Sequence, residues 1–592
     1  MNQNVIIDDT VAPVIPTLPN ITGQCSVTPT NPTTTDLCVG IITGTTTTIF
    51  PLTASTVIIW TFNDGNGQSV TANQNIIIGS TTWSGSSWSN SDPVSGMNAI
   101  ISTNLTVNAN FTACSLIVNN NAVVTVNPGV NLNITGDVTV APGSSLTFEN
   151  NTNLLQTKNT NGNTGAIILK RKTSDLKLLD YVLWSSPVTG QQLQLFSSST
   201  LSNRFYTYNS STNLYNTIAP TNNFVVGIGY LIRMPNNHPT LPTIWEGQFQ
   251  GVPNNGNYNI TVTNNAYTAI GNPYPSTINA NTFISSNNIT EALYFWRKTN
   301  NTATSSYASY TTAGGTANAG GLSSIVPNGI IQVGQGFVAK ATGTTILFTN
   351  AMRVANNANQ FLRTKETELH RIWLNLSKDA TPINQMLIAY MPKATSGIDA
   401  TIDGRYINDN PTALNSLIEN EEFVIQGRSL PFSDTDVVPL TFKTTAAGTF
   451  TIAIDHVEGL FFASQNIFLK DKVTSISHDL KKTSYSFTAV AGTFNDRFDI
   501  VYKGNSVLDL EDVVINENTV LVYIQKGIIN INAGKKTIAA VKIFDIRGRL
   551  IYEEKDINST ATALNRFVAA HQTLIMQITS DENKVVSKKL IY

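Results

Sequence analysis

"SLIVNNNAVVTVNPGVNLNITGDVTVAPGSSLTF", residues 115–148, is a run of short apolar steps divided by Asn, Pro and Gly. "VNPG" begins at Val126 and "VAPG" at Val140, 14 residues on. Steps this short do not support helices, and the Asn, Ser and Gly between them favour turns over helical turns. Short strands at regular spacing predict the rungs of a β-solenoid, with Asn runs stacked as ladders. A plain antiparallel meander is the alternative. A rod of this kind buries a narrow core and exposes a long polar face, suited to spacing or to binding extended glycans.

The rest of the chain extends the all-β reading. Of 592 residues 41% are hydrophobic, but only 12% are charged, about half the usual share of roughly 25%. Asn, Thr, Ser and Gly fill the difference, while Trp, Tyr, Phe, Val and Ile recur throughout, as folded strands require. The length demands several domains. No Lys or Arg precedes Lys158, whereas Asp8, Asp9, Asp36, Asp64, Asp92, Asp137 and Glu149 all do. That stretch has no means of neutralising phosphates, which argues against nucleic acid. A net charge of −2 argues against electrostatic docking to a membrane, and no apolar run approaches the roughly 20 residues of a transmembrane segment. The histidines, His238, His370, His456, His478 and His571, are dispersed, with no metal-binding or hydrolase motif around them. The sequence makes no case for an enzyme and requires no cofactor.

Residues 1–79 form the first expected unit. "NQNVII" at 2–7 matches "NQNIII" at 73–78, so the opening residues read as the cut last strand of a preceding repeat, with further sequence upstream. "STVIIWTF" at 55–62 alternates as a strand, "NDGNG" at 63–67 is a hairpin turn, and "QSVTANQNIII" returns. A disulfide between Cys25 and Cys38, close together in one unit, is expected, with two buried thiols as the alternative; Cys114 reads as a small buried apolar residue. The string "DDTVAPVIPTLPNITGQCSVT", continued by "DLCVG" and "WTFNDGNG", resembles the HYR-type immunoglobulin-like repeats of bacterial surface adhesins. The resemblance implies a spacer or adhesion module. Asp8, Asp9 and Asp64 offer hard oxygen ligands for calcium at a domain junction; solvated turn carboxylates are the ordinary reading.

Residues 80–170 form the solenoid-like spacer, 171–365 an aromatic-rich β region, 366–504 a β-sandwich and 505–517 a linker. In the aromatic region "GNPYPS" at 271–276 is a stiff extended loop. Tyr274, with Tyr294 and Trp296, offers a platform for sugar rings, against the reading that these rings fill the core. In the sandwich, "NIFLKDK" at 466–472 is expected to form a hairpin with "YSFTAV".

Residues 518–592 form the last unit. "VKIFDI" places Val541, Ile543 and Asp545 on one face and Lys542, Phe544 and Ile546 on the other, and Gly548 turns the hairpin. "VKIFDIRGRLIY", "LIMQI" and the terminal "VVSKKLIY" together resemble the C-terminal sorting domain of the Bacteroidetes type IX secretion system, nearest its type C form. Gly548 and Arg549 match its turn, and Lys588 and Lys589 its basic pair. The resemblance implies recognition by type IX secretion machinery and an extracellular, outer-membrane cell-surface location. The expected whole is an array of β-sandwiches with a β-solenoid-like segment. It reads as the C-terminal part of a surface adhesin whose partners are glycans or other cells. The alternative is a glycan-binding or accessory region of a larger carbohydrate-active enzyme.

Overall fold

The computed structural model describes residues 9–297, 306–318, 325–355, 369–462, 465–504, 519–525, 528–534, 536–568 and 572–592. The expected cut strand at 2–7, Asp8, His571 and the linker at 505–517 lie outside the described residues. Strands dominate. The α-helices among the described residues are the short Leu193–Phe196 and Ala280–Ser286.

In the first unit Thr56–Asn63 pairs antiparallel with Ser69–Ile78, closing at Asn63 and Ser69. Gly65 and Gly67, at φ +80° and +106°, make the turn, a conformation costly for other residues. Ile21–Gly23 adds in parallel at the other edge of Ser69–Ile78, and Thr33–Asp36 with Gly40–Thr43 forms a separate hairpin. Ile58, Trp60, Phe62, Ile76 and Ile78 fill the core. The indole N–H of buried Trp60 donates to Gln74 Oε1 at 2.9 Å.

The solenoid is present, and its strands pair in parallel, which excludes the meander. One face stacks Ser80–Trp83, Asn98–Ile101, Leu116–Val118 and Val138–Val140. A second stacks Leu105–Val107, Val123–Val126 and Ser145–Phe148, and a third Phe111–Ala113, Asn131–Ile134 and Asn153–Gln156. Leu116 pairs with Val138, Val123 with Ser145 and Asn131 with Asn153, so this rung takes 22 residues, while the preceding one is shorter, Ala99 pairing with Leu116 and Leu105 with Val124. The 14-residue interval between the two Pro-Gly turns is instead a step from the second face to the first of the next rung. Val118, Val124, Val126, Leu132, Leu146, Phe148 and Leu154 point inward with no exposed surface. At the corners Asn127 Nδ2 donates to Asn108 Oδ1 at 2.6 Å and Ser102 Oγ to Asn119 Oδ1 at 2.8 Å. Inside, Asn153 Nδ2 donates to Asn131 Oδ1 at 2.8 Å.

The rod does not end at residue 170. Ile167–Leu176 continues the second face in parallel with Ser145–Phe148, then pairs antiparallel with Thr243–Pro253. One hydrophobic core runs from Ala99 through Phe148 to Trp184, Phe249 and Val333. Beyond it Tyr267–Gly271, Gly336–Lys340, Leu293–Trp296, Tyr307–Thr311 and Gly314–Thr316 form a five-stranded sheet. This sheet is tied to the next unit: Tyr294 Oη donates to Arg405 O at 2.8 Å, and Trp373 Nε1 to Gly315 O at 2.8 Å.

Residues 370–501 make one long sheet that curls over its own core. Its path runs from Ile476–Asp479 to Tyr485–Ala489, two strands adjacent in sequence, so the sheet nearly closes. Ile372, Leu374, Leu440, Phe442, Phe450 and Phe498 are fully buried within it. The hairpin expected between 466–472 and "YSFTAV" is corrected. Phe468–Asp471 turns tightly into Ile476–Asp479, while Tyr485–Ala489 pairs with Gly448–Val457.

The last unit has its own core of Ile529, Ile531, Ile538, Val541, Ile543, Leu574, Met576 and Ile578. A four-stranded sheet orders Leu550–Ser559, Ile538–Asp545, Thr573–Ser580 and Val585–Ile591; a three-stranded one orders Leu521–Gln525, Ile528–Asn532 and Ala561–Ala563. Val541, Ile543 and Asp545 are buried and Ile546 is exposed, as the alternation predicts.

Candidate functional site

Three buried carboxylates sit on separate segments of the first unit. Asp9 lies in the entering chain, Asp36 closes the strand Thr33–Asp36, and Asp64 opens the Gly-rich turn. All three are more than nine-tenths buried. Ligand-capable atoms of Asp9, Asp36 and Cys38 lie within 4.8 Å of one another. The entering chain is fixed against the hairpin: Val14 N donates to Thr35 O at 3.0 Å, and Thr34 Oγ1 to Val14 O at 2.6 Å.

Each carboxylate is partly satisfied by backbone. Asp36 Oδ1 accepts from Cys38 N at 2.8 Å and Val39 N at 2.9 Å; Asp64 Oδ1 accepts from Asn66 N at 2.8 Å and Gln68 N at 3.0 Å. Asp9 Oδ1 accepts from Val11 N at 3.1 Å, and its Oδ2 from Asn66 Nδ2 at 3.4 Å, which joins the entering chain to the Asp64 turn. The remaining oxygens, Asp36 Oδ2 and Asp64 Oδ2, are buried without a hydrogen-bond partner. Of the expected calcium ligands the structure therefore brings Asp9 toward the turn of Asp64. It adds Asp36, which sequence reasoning missed. The available signal was an Asp closing a Thr-rich strand at a turn, as Asp64 does.

The cysteine pairing is corrected. Cys25 bonds to Cys114, 89 residues away, with Cα atoms 5.1 Å apart; Cys38 is free and exposed. The reason lies in the parallel pairing of Ile21–Gly23 with Ser69–Ile78. That pairing carries Cys25 to where the chain enters the solenoid, and Gly79 N donates to Gly23 O at 3.3 Å. Cys114 sits at the same end, its N–H donating to Met97 O at 2.7 Å. Cys38 instead occupies the hairpin tip beside Asp9 and Asp36. Desolvation and the Asp9 and Asp36 carboxylates push its thiol above the ordinary range.

The sugar platform is also corrected. Tyr274 and Tyr294 are completely buried. The "GNPYPS" loop turns inward because its polar groups find partners there: Asn272 Nδ2 donates to Ser276 O at 2.7 Å and Tyr274 Oη to Gly256 O at 2.7 Å. The Arg353 guanidinium stacks 4.8 Å from the Tyr274 ring centre, and burial pushes its pKa down to about 9. The loop also closes the rod, since Leu154 N donates to Pro275 O at 2.8 Å and Thr277 N to Asn153 Oδ1 at 2.8 Å. Arg353 completes the contact by donating to Leu154 O. Trp296 is half-buried against Tyr215 and Tyr307. A more open surface lies on the rod itself, a shallow depression of about 440 Å³ with a mixed polar and apolar lining of Gly85, Ser102, Thr103, Asn104, Asn120, Asn121 and Ala122.

In the last unit Gly548, at φ +80°, makes the predicted turn. Asp545 Oδ1 accepts from the N–H groups of Arg547 and Arg549, both at 3.0 Å, and its Oδ2 from Arg549 Nε at 3.2 Å. These contacts, led by the backbone N–H of Arg549, hold the Asp545 carboxyl below its usual range. Lys588 and Lys589 lie on the outer strand Val585–Ile591, opposite Met576 and Ile575; Lys589 is exposed and Lys588 half-buried.

Two family models match the chain. One, a domain of unknown function, DUF8693, covers residues 78–502; the other, a domain of unknown function, DUF8694, covers residues 508–592. No curated protein matches. The first match begins where the solenoid begins and ends with the curled sheet, so it follows the continuous packing described above. With most of its length inside that match, the chain belongs to the DUF8693 family of domains of unknown function.

Proposed function

We propose that this chain is a secreted, cell-surface, adhesin-like protein exported by the type IX secretion system, which displays and spaces binding surfaces and performs no catalysis. The reading is carried by the last unit. Residues 519–592 have a core of their own, with the Gly548 turn and the Lys588–Lys589 strand at its surface, and meet the preceding sheet through Leu521 and Tyr523. A tag read by export machinery needs a folded unit of this kind at the end of its cargo. A disulfide between the first unit and the solenoid supports an oxidising compartment. The rigid parallel rod supports a spacer role. The direct test is deletion of residues 518–592 in the native host. Retention inside the cell is expected, and normal surface appearance of the truncated chain sinks the reading.

The open depression on the rod favours a second reading, a glycan-binding or accessory region of a carbohydrate-active protein. Ser102, Asn104, Asn120 and Asn121 gather amide and hydroxyl groups at one corner of the rod, chemistry that suits sugar hydroxyls. A glycan array with the full chain distinguishes the readings. Binding lost on Asn104→Ala with Asn120→Ala supports glycan recognition, and silence across diverse glycans leaves the spacer role.

A further inference from the structure

We infer that Arg204, Arg233, Tyr181 and Tyr206 form a binding site for an acidic polysaccharide, a uronate chain whose carboxylate sits between the two guanidiniums. The strands Tyr181–Trp184, Tyr230–Arg233 and Phe205–Asn209 set these groups on one face of their sheet. Tyr181 pairs with Arg233, and Phe205 with Ile232, so the next position sets Arg204 opposite Arg233. Arg233 N donates to Arg204 O at 3.2 Å. Like charges directly opposite across strands are destabilising. Elsewhere in the chain arginines are answered by carboxylates, as Arg428 is by Asp436 and Arg497 by Asp471. Among the described residues neither Arg204 nor Arg233 makes an ion pair. Their acceptors are neutral: Arg204 Nη1 donates to Tyr206 Oη at 3.1 Å, and Arg233 Nη2 to Asn236 Oδ1 at 3.1 Å. The Nε of each is buried without a hydrogen-bond partner, and Arg233 as a whole is more than nine-tenths buried. Burial of a cation short of acceptors is unfavourable. An anion shared by the pair relieves the repulsion and supplies the acceptors. Burial, then Tyr206, raises the pKa of the Tyr181 hydroxyl while both guanidiniums pull it down, so the groups share one small region.

The surroundings select the carrier of the anion. Tyr181 and Tyr206 meet edge to face, 5.9 Å between ring centres, on the same face as the buried Leu183 and Leu231. That face continues to Tyr208 and Tyr215, 5.1 Å apart. All four tyrosines are half-buried. Each ring offers an apolar surface and a hydroxyl, which suits the two-sided chemistry of a sugar ring. A planar carboxylate matches the fork of a guanidinium. A sugar that carries a carboxylate satisfies both. The site lies apart from the depression on the rod; it rests on the glycan-binding reading and names the class of glycan.

The test is calorimetry on the full chain with an oligogalacturonate, its methyl ester and inorganic sulfate. The oligogalacturonate is expected to bind, with an affinity that falls as salt rises. The ester should bind about tenfold more weakly or worse, and sulfate more weakly still. Arg204→Gln and Arg204→Lys should each weaken binding by about tenfold or more, since lysine keeps the charge and loses the fork. Thermal unfolding reports whether each variant is folded, and Tyr181→Ala replaces one that is not. The inference is overturned by absence of heat with the oligogalacturonate, by equal binding of the ester or of sulfate, or by unchanged affinity in Arg204→Gln. Binding that survives Arg204→Gln and is lost in Asn104→Ala with Asn120→Ala overturns this site while the glycan reading stands. Silence toward uronates with binding of a neutral glycan does the same.

Discussion

The solenoid and the curled sheet that follows it solve the same problem, buried polar groups, with opposite chemistry. In the rod the buried partners are neutral amides: Asn153 on Asn131 and Asn163 on Gln156. In the curled sheet they are ions: Arg497 on Asp471, Arg428 on Asp436, Lys443 on Glu422, Arg371 on Glu458. Topology explains the difference. In-register parallel stacking sets each position above its counterpart one rung away, so a charge kept from rung to rung would face its own sign, which is destabilising. An Asn both donates and accepts, so it can pair with itself. In an antiparallel sheet, unlike positions become neighbours, and opposite charges can be set side by side.

The largest test of this contrast is Arg497→Ala. It leaves Asp471, fully buried, without its cation and should cost about 3–5 kcal/mol, seen as loss of the curled sheet's unfolding transition while the rod persists. Next is Cys114→Ser. The bond spans 89 residues, and its loss should destabilise the first unit by about 2–5 kcal/mol, measured by the first unit's Tm with and without reductant.

The third test is pH. Burial of Asp403, a carboxyl that accepts from Asp399 N and Gly427 N at 2.6 Å each, raises its pKa from 3.8 to about 6. Between these values the folded state binds more protons than the unfolded. Stability of the curled sheet should therefore fall by about 2–3 kcal/mol as pH rises from 3.8 to about 6. Asp403→Asn should remove that slope, whatever its absolute stability, in denaturant melts across the window. The smallest effect is expected from Asn127→Ala at an exposed corner of the rod. Loss of one neutral hydrogen bond should cost about 0.5–1.5 kcal/mol and be insensitive to salt, unlike exposed ion pairs in the later units.

Local patterns were readable before any coordinates. The alternation in "VKIFDI", the Asp-Gly and Asn-Gly turn at 63–67, and the short steps of the rod all became the expected elements, because each depends on neighbours a few residues away. Features set by distant chain were not. The partner of Cys25 depends on a parallel pairing across 55 residues, Ile21 with Ile76. The burial of Tyr274 depends on Arg353, and the rung lengths on which strands stack. Of the buried acids in the first unit, Asp9 and Asp64 were visible as turn acids. Asp36 was not, since only folding brings its hairpin to the entering chain.

The closure of the rod by Pro275, Thr277 and Arg353 has a consequence for the order of assembly. Leu154 is capped by a guanidinium 199 positions later. During synthesis, which starts from the N-terminal side, this edge of the rod cannot receive its cap until residue 353 has been made.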